Sequence, residues 1–340
     1  MVAGGRLLCG VFSLDFQVAL GIVAVVFVVY TFWGGQLSVI RTDFWQLIWF
    51  IGGLVIALAF LVTSRGSIDS LWKGIPPQHL RFPVSSAFGW YDALIFYPLI
   101  VGVPYIVGPD IYSRVLCARN DRVARTSALM AAMFVIPLSF LLASFGVLAR
   151  GQFPGIPAEM ALPQTLRALI PVGLEGLIAA GFLGAIMSSA DTCLISASTI
   201  LSLNVVGSLH KGSQEHHLRV TRGTLLAVGG IAWVVASMQQ GIISSLLLGY
   251  AVFVGGVVLP TLASFYRKKL KITSSGALWA IVVGGSAAVL GKLHGGVLMK
   301  GLLTGQGVDL ARHLLGPQYL SILPIVLSLI VMLGASWIKR

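Results

Sequence analysis

Charge is what this sequence has least of. Only 10% of its residues are Asp, Glu, Lys or Arg, and 11 of the 340 are acidic, against about a quarter charged in a soluble globular protein. That shortage excludes a water-soluble globule, because too few polar side chains remain to cover a solvent-facing exterior. Cysteine is scarce too. Cys9, Cys117 and Cys193 have no CxxC spacing, which argues against a metal knuckle and against a disulfide framework. The sequence also lacks GxSxG, HExxH and phosphate-loop patterns and any catalytic carboxylate pair in a sensible context. No enzyme is therefore expected, no cofactor, and no metal beyond an alkali cation.

Apolar residues fill the space. They make up 57% of the chain and set a mean hydropathy of +0.93, so lipid must do the covering that polar side chains cannot. The 40 glycines suit close helix packing in a bilayer. The net charge of +12 lies in short basic clusters between apolar runs. That is an orientation signal and not a nucleic-acid surface. The first fifteen residues hold too short an apolar stretch for a signal peptide, and LLCGVF reads as the tail of a membrane-associated segment.

Runs of about 20 apolar residues predict nine spans, at 16–35, 43–63, 84–108, 126–149, 172–205, 220–238, 241–265, 276–294 and 317–338. The loops on one side carry Arg41, the Arg114–Arg125 cluster, Lys211, Arg219, Arg222, the Arg267–Lys271 cluster, Lys339 and Arg340. That is 14 basic residues against 9 on the other side. Positive charge stays on the cytoplasmic face, so the C-terminus is expected in the cytoplasm and Met1 outside. His210, His216 and His217 share a loop with Lys211 and Glu215, where solvation explains them better than metal ligation.

Two spans carry chemistry. The third contains Pro98, Gly102, Pro104, Gly108 and Pro109. Each proline removes a backbone donor and clashes one turn back, which predicts a kinked or broken helix. Breaks of this kind can bind ion and substrate near the midplane, and they can equally serve packing alone. The fifth reads GFLGAIMSSADTCLISASTILSLNVV. At about 100° per residue, Ala185, Ser188, Ser189, Thr192, Ser196 and Thr199 share one face. Small hydroxyls at successive positions, with a carbonyl one turn earlier, give a bare alkali cation hard oxygen ligands without net charge. A helix-packing face is the alternative. Asp191 tips the balance, because a mid-span carboxylate costs roughly 2.5–3.5 kcal/mol on insertion scales and marks a functional site by default. No Lys or Arg is clearly intramembrane in the sequence, so a cation or proton is its expected partner.

Three blocks, YTFWGGQLSVIRTDFWQ (Tyr30 to Gln46), GPDIYSRVLCARNDRVARTSAL (Gly108 to Leu129) and AAGFLGAIMSSADTCLISASTILSLNVV (Ala179 to Val206), together resemble the sodium:solute symporter family, from about Phe16 to Tyr266. The resemblance implies an all-α polytopic membrane protein of about nine transmembrane helices with a partial leucine-transporter-type inverted-repeat fold. It implies one membrane domain over 1–340, in which 16–63 resembles core helices four and five, 84–265 resembles core helices six to ten, and 276–338 adds two peripheral helices. The span at 84–108 then opens the second repeat.

The implied function is sodium-coupled import of a small organic solute by alternating access, in the plasma membrane (the inner membrane of a bacterial cell). By resemblance, sodium binds the Ala185 carbonyl and the Ser188 and Ser189 hydroxyls. A second cation site resembles Asp43, Ser188, Asp191 and Thr192, where family members often have Ser in place of Asp191, and Tyr105 matches a gating or substrate-stacking position. Core helices one to three of the family have no counterpart here, so an N-terminally truncated form is expected. The alternatives are a non-transporting structural or sensory domain derived from such a transporter, and a membrane-embedded enzyme.

Overall fold

The computed structural model describes residues 1–65, 75–81, 84–85, 88–206, 214–238, 241–292, 305–316 and 318–338. Its helices are α1 (Val2–Phe12), α2 (Phe16–Arg65), α3 (Asp92–Val107), α4 (Pro109–Leu116), α5 (Asp121–Gln152), α6 (Ala161–Leu169), α7 (Leu174–Ile200), α8 (Gln214–Met238), α9 (Ile242–Phe265), α10 (Arg267–Leu270), α11 (Ser274–Lys292), α12 (Gly305–Leu315) and α13 (Tyr319–Ile338). No strand occurs among the described residues. Helices are the expected outcome, since in hydrocarbon a segment must satisfy its own backbone donors and acceptors. Eight helices among the described residues are long and apolar enough to cross a membrane, and the bent pair α3–α4 makes a ninth when taken as one span. All nine predicted spans fall on these. The loop residues Lys73, His210, Lys211, Lys300, Lys339 and Arg340 lie outside the described residues.

The chain divides into two compact units, Met1–Leu80 with Ser113–Ile242, and Arg81–Tyr112 with Ile243–Arg340. In the first unit, the predicted spans 16–35 and 43–63 belong to one helix, α2, of 50 residues. It is not straight. Tyr30 and Thr42 join through their hydroxyls, although twelve residues of straight helix would set them about 18 Å apart along the axis. The two halves therefore fold back toward each other, and both can face α7. Gly181 of α7 allows a close approach, since a Cβ there would stand 3.0 Å from the Trp49 carbonyl oxygen. Around this contact Leu54, Ala57, Leu61, Phe145, Ile178 and Phe182 form a buried apolar core, with the Phe50 and Phe182 rings edge to face at 5.0 Å. The short apolar helix α1, which includes LLCGVF, contributes Leu7 to the same core. Side chains of α5 such as Leu129, Met133, Phe134 and Ile136 are exposed, as lipid-facing positions require.

In the second unit, α3 is irregular for the reason its prolines predict. Its backbone opens into π-helical turns over Asp92–Phe96 and Pro98–Gly102. The Val103 N–H reaches back five residues to the Pro98 carbonyl, at 3.0 Å. The helix ends at Gly108, which is extended (φ −66°, ψ 127°), because a residue before proline is pushed out of the helical region. Phe96, Ile100 and Val107 pack on Val254 and Val258 of α9. Tyr91 donates to the Leu315 carbonyl. Helices α11 and α13 lie against the π-helical turn Val254–Val258, where a Cβ on Gly255 would meet the Gly284 carbonyl oxygen at 3.0 Å.

Candidate functional site

Helix α7 carries most of the residues singled out in the sequence. It starts after Gly173, whose φ of +94° suits glycine, and runs unbroken past them. Ala185 and Ser188 are half-buried and Ser189 is exposed. Among the described residues, neither the Ser188 nor the Ser189 hydroxyl has a hydrogen-bond partner. Their oxygens stay available, and the Ala185 carbonyl keeps a lone pair beyond its helical bond. Thr192 differs, because its hydroxyl donates to the Ser188 carbonyl at 2.9 Å.

Asp43, on the second half of α2, and Thr192 share one partner. Arg114 of α4 points Nη2 between them, 3.3 Å from Asp43 Oδ2 and 2.7 Å from Thr192 Oγ1. Asp43 Oδ1 is buried without a partner among the described residues. Beside this triad lies a cavity of about 20 Å³ lined by Val39, Ile40, Ile195 and Ser196 as well, room for one water-sized occupant. Arg114 belongs to a loop cluster in the sequence; in the structure it lies on α4, after the break at Gly108–Pro109, and reaches Asp43 and Thr192.

Asp191 goes elsewhere. It is fully buried, and its Oδ1 lies 2.6 Å from the hydroxyl of Thr31 on the first half of α2. That hydroxyl lies 2.6 Å from the Phe27 carbonyl as well. Asp191 Oδ2 is buried and unpartnered among the described residues. Of the four second-site residues, Asp43 and Thr192 meet Arg114, Asp191 meets Thr31, and Ser188 joins only through its carbonyl, which accepts from Thr192. Thr31 had no signal in the sequence beyond being a hydroxyl in an apolar run.

A larger cavity of about 510 Å³ opens along α7 near Gly184 and Met187, away from its hydroxyl face, walled by Leu8, Val26 and Phe27. Its polar side chain is Gln46, whose Oε1 is buried and unpaired among the described residues. In the second unit, Tyr105 is 53% exposed, and its hydroxyl lies 3.4 Å from that of Tyr250. Among the described residues, no group of three or more His, Cys, Asp and Glu side chains could hold a metal ion.

Comparison with known proteins gives this arrangement a setting. The chain is similar to solute carrier family 5 member 4 of Rattus norvegicus, 23% identical over 96% of this chain and 56% of that protein. It is 25% identical to sodium/glucose cotransporter 4 of Homo sapiens, over 78% of this chain and 45% of that one. For the human sodium/myo-inositol cotransporter 2 the figures are 25%, 84% and 48%. The chain spans about half the length of the curated relatives it matches.

Among solved structures, a Na+-coupled sialic acid symporter in a substrate-bound outward-open state superposes with a TM-score of 0.70, covering 99% of this chain and 71% of that one at 19% identity. That likeness establishes a shared all-α, leucine-transporter-type architecture in a multi-pass membrane protein. The family model for the sodium:solute symporter family matches residues 1–284. By that match, and with the broken helix and the hydroxyl-lined α7 in place, the chain belongs to the sodium:solute symporter family.

Proposed function

We propose that this protein serves sodium-coupled import of a small organic solute by alternating access. One observation carries the reading: Ala185, Ser188 and Ser189 offer a carbonyl and two unpartnered hydroxyls on one face of α7, in a member of the sodium:solute symporter family. Neutral oxygens at that spacing suit an alkali cation, which enters as cargo. One sodium ion moving down 100 mV supplies about 2.3 kcal/mol, enough for roughly 50-fold solute accumulation before any chemical gradient. The names of relatives, sodium/glucose and sodium/myo-inositol cotransporters and a sialic acid symporter, support a polyhydroxylated solute. Tyr105 is the side chain we assign to stack on it. Rocking of one helical bundle against another around a midplane site would expose ion and solute alternately.

In this reading Asp43, Asp191 and Thr192 form the second cation position. Arg114 already places a positive charge between Asp43 and Thr192, so a second sodium binds only when that guanidinium withdraws. The protein resides in the plasma membrane with its C-terminus cytoplasmic, as the distribution of 14 basic residues against 9 supports. It acts as a transporter and not as an enzyme, and needs no prosthetic group and no nucleic acid. The test is accumulation of glucose, myo-inositol and sialic acid by proteoliposomes under an inward sodium gradient. Uptake that collapses when potassium replaces sodium is expected. Solute uptake indifferent to sodium contradicts the mechanism.

A further inference from the structure

We infer that the turn between α9 and α11 is a docking site for anionic phospholipid headgroups. Its position is set by the spans on either side: α9 ends at Phe265 and α11 begins at Ser274, so the residues between emerge at the membrane–water boundary. Four of them are basic, Arg267, Lys268, Lys269 and Lys271, and all four are exposed. Among the described residues, none takes part in an ion pair. The sequence holds no acid nearby, with no Asp or Glu from Glu215 to Asp309. A concentrated positive charge with no counter-charge of its own draws it from its surroundings, and at this depth the surroundings are lipid headgroups.

The turn is held in shape. Helix α10 packs the cluster into one turn, and Lys271 closes it in the left-handed region at φ 53°. The Ile272 N–H bonds back to the Arg267 carbonyl at 3.2 Å. Ile272 itself is buried with Ala263, Ala280 and Met332, and the Thr273 N–H donates to Ser336 Oγ of α13 at 3.1 Å. The basic side chains therefore project from an anchored platform and not from a loose loop.

An independent observation points to the same occupant. Phe265 and Trp337 are each 72% exposed and Tyr266 is exposed beside them. Trp337 follows Ser336, the residue that holds Thr273, so its indole stands at the level of the turn. Aromatic rings at headgroup depth flanking lysine and arginine make an interfacial belt, in which rings meet acyl and glycerol groups while the cations meet phosphate. Orientation during insertion needs only the charge. The fixed turn and the exposed rings go beyond that need.

The test uses the full chain in micelles holding equal phosphatidylglycerol and phosphatidylcholine, with retained lipid counted by native mass spectrometry. Phosphatidylglycerol should be retained in preference. The combined variant Arg267→Gln, Lys268→Gln, Lys269→Gln, Lys271→Gln should retain roughly tenfold less of it, whereas Arg119→Gln, Arg122→Gln, Arg125→Gln should retain as much as the parent. If the combined variant does not fold, the single exposed changes Lys268→Gln and Lys269→Gln should each give a partial loss. Equal retention of both lipids, retention untouched by the Gln variants, or an equal loss from the Arg119 set overturns the proposal. Displacement of the lipid by millimolar inorganic phosphate alone also overturns it, since that would mark a site for free anion.

Discussion

Arg114 Nη2 lies 3.3 Å from Asp43 Oδ2, so a carboxylate on α2 faces a guanidinium delivered from beyond the break in the third span. The same nitrogen meets the Thr192 hydroxyl, which ties α4 to α2 and α7 at one point. Arg114 is about half exposed at 48%, so the pair contributes little to stability once solvent screening is counted. In the proposed reading, it occupies the second cation position.

If Arg114 holds the second cation position, removing its charge should open that position. Arg114→Gln is expected to raise the stoichiometry of sodium in equilibrium binding from about one toward about two ions per chain. An unchanged stoichiometry with an unchanged midpoint would make the Asp43–Arg114 contact purely structural.

Asp191 and Thr31 give a second prediction from hydrogen counting. The Thr31 hydroxyl lies 2.6 Å from both the Phe27 carbonyl and Asp191 Oδ1, yet it has one hydrogen to donate. An amide at position 191 can supply the second. Asp191→Asn should leave the thermal midpoint in detergent within a few degrees of the parent, while Asp191→Ala leaves the hydroxyl facing a void and costs about 1–3 kcal/mol. Equal losses from Asn and Ala would count against the contact.

Packing gives a third. A Cβ at Gly181 would stand 3.0 Å from the Trp49 carbonyl oxygen and 3.2 Å from its carbon, which are backbone atoms that cannot turn aside. Gly181→Val should therefore destabilise by about 1–3 kcal/mol. A Cβ at Gly176, on the same helix, meets nothing within 4 Å, so Gly176→Ala should be neutral or slightly stabilising. Thermal unfolding of the two variants side by side decides it.

What the sequence made legible follows the range of each interaction. The spans follow from local hydropathy, the break at Gly108 from Pro109, and the shared face of Ala185, Ser188 and Ser189 from helical spacing alone. The folding back of α2 was not legible: the sequence predicts two separate spans, at 16–35 and 43–63, yet the backbone stays helical between them. Because that fold brings Thr31 and Asp43 to neighbouring residues of α7, their different partners could not be read either. Arg114 looked like a loop charge because nothing local shows that α4 carries it to Asp43 and Thr192. The division into two units, which joins residues far apart in the chain, likewise has no local signature.

The central claim is that the hydroxyl face of α7 binds sodium, and equilibrium binding of radioactive sodium to the purified chain tests it most directly. The account predicts saturable binding that potassium does not displace and that Ser188→Ala with Ser189→Ala abolishes, while the thermal midpoint stays within a few degrees. Saturable sodium binding that persists in the double variant would contradict it.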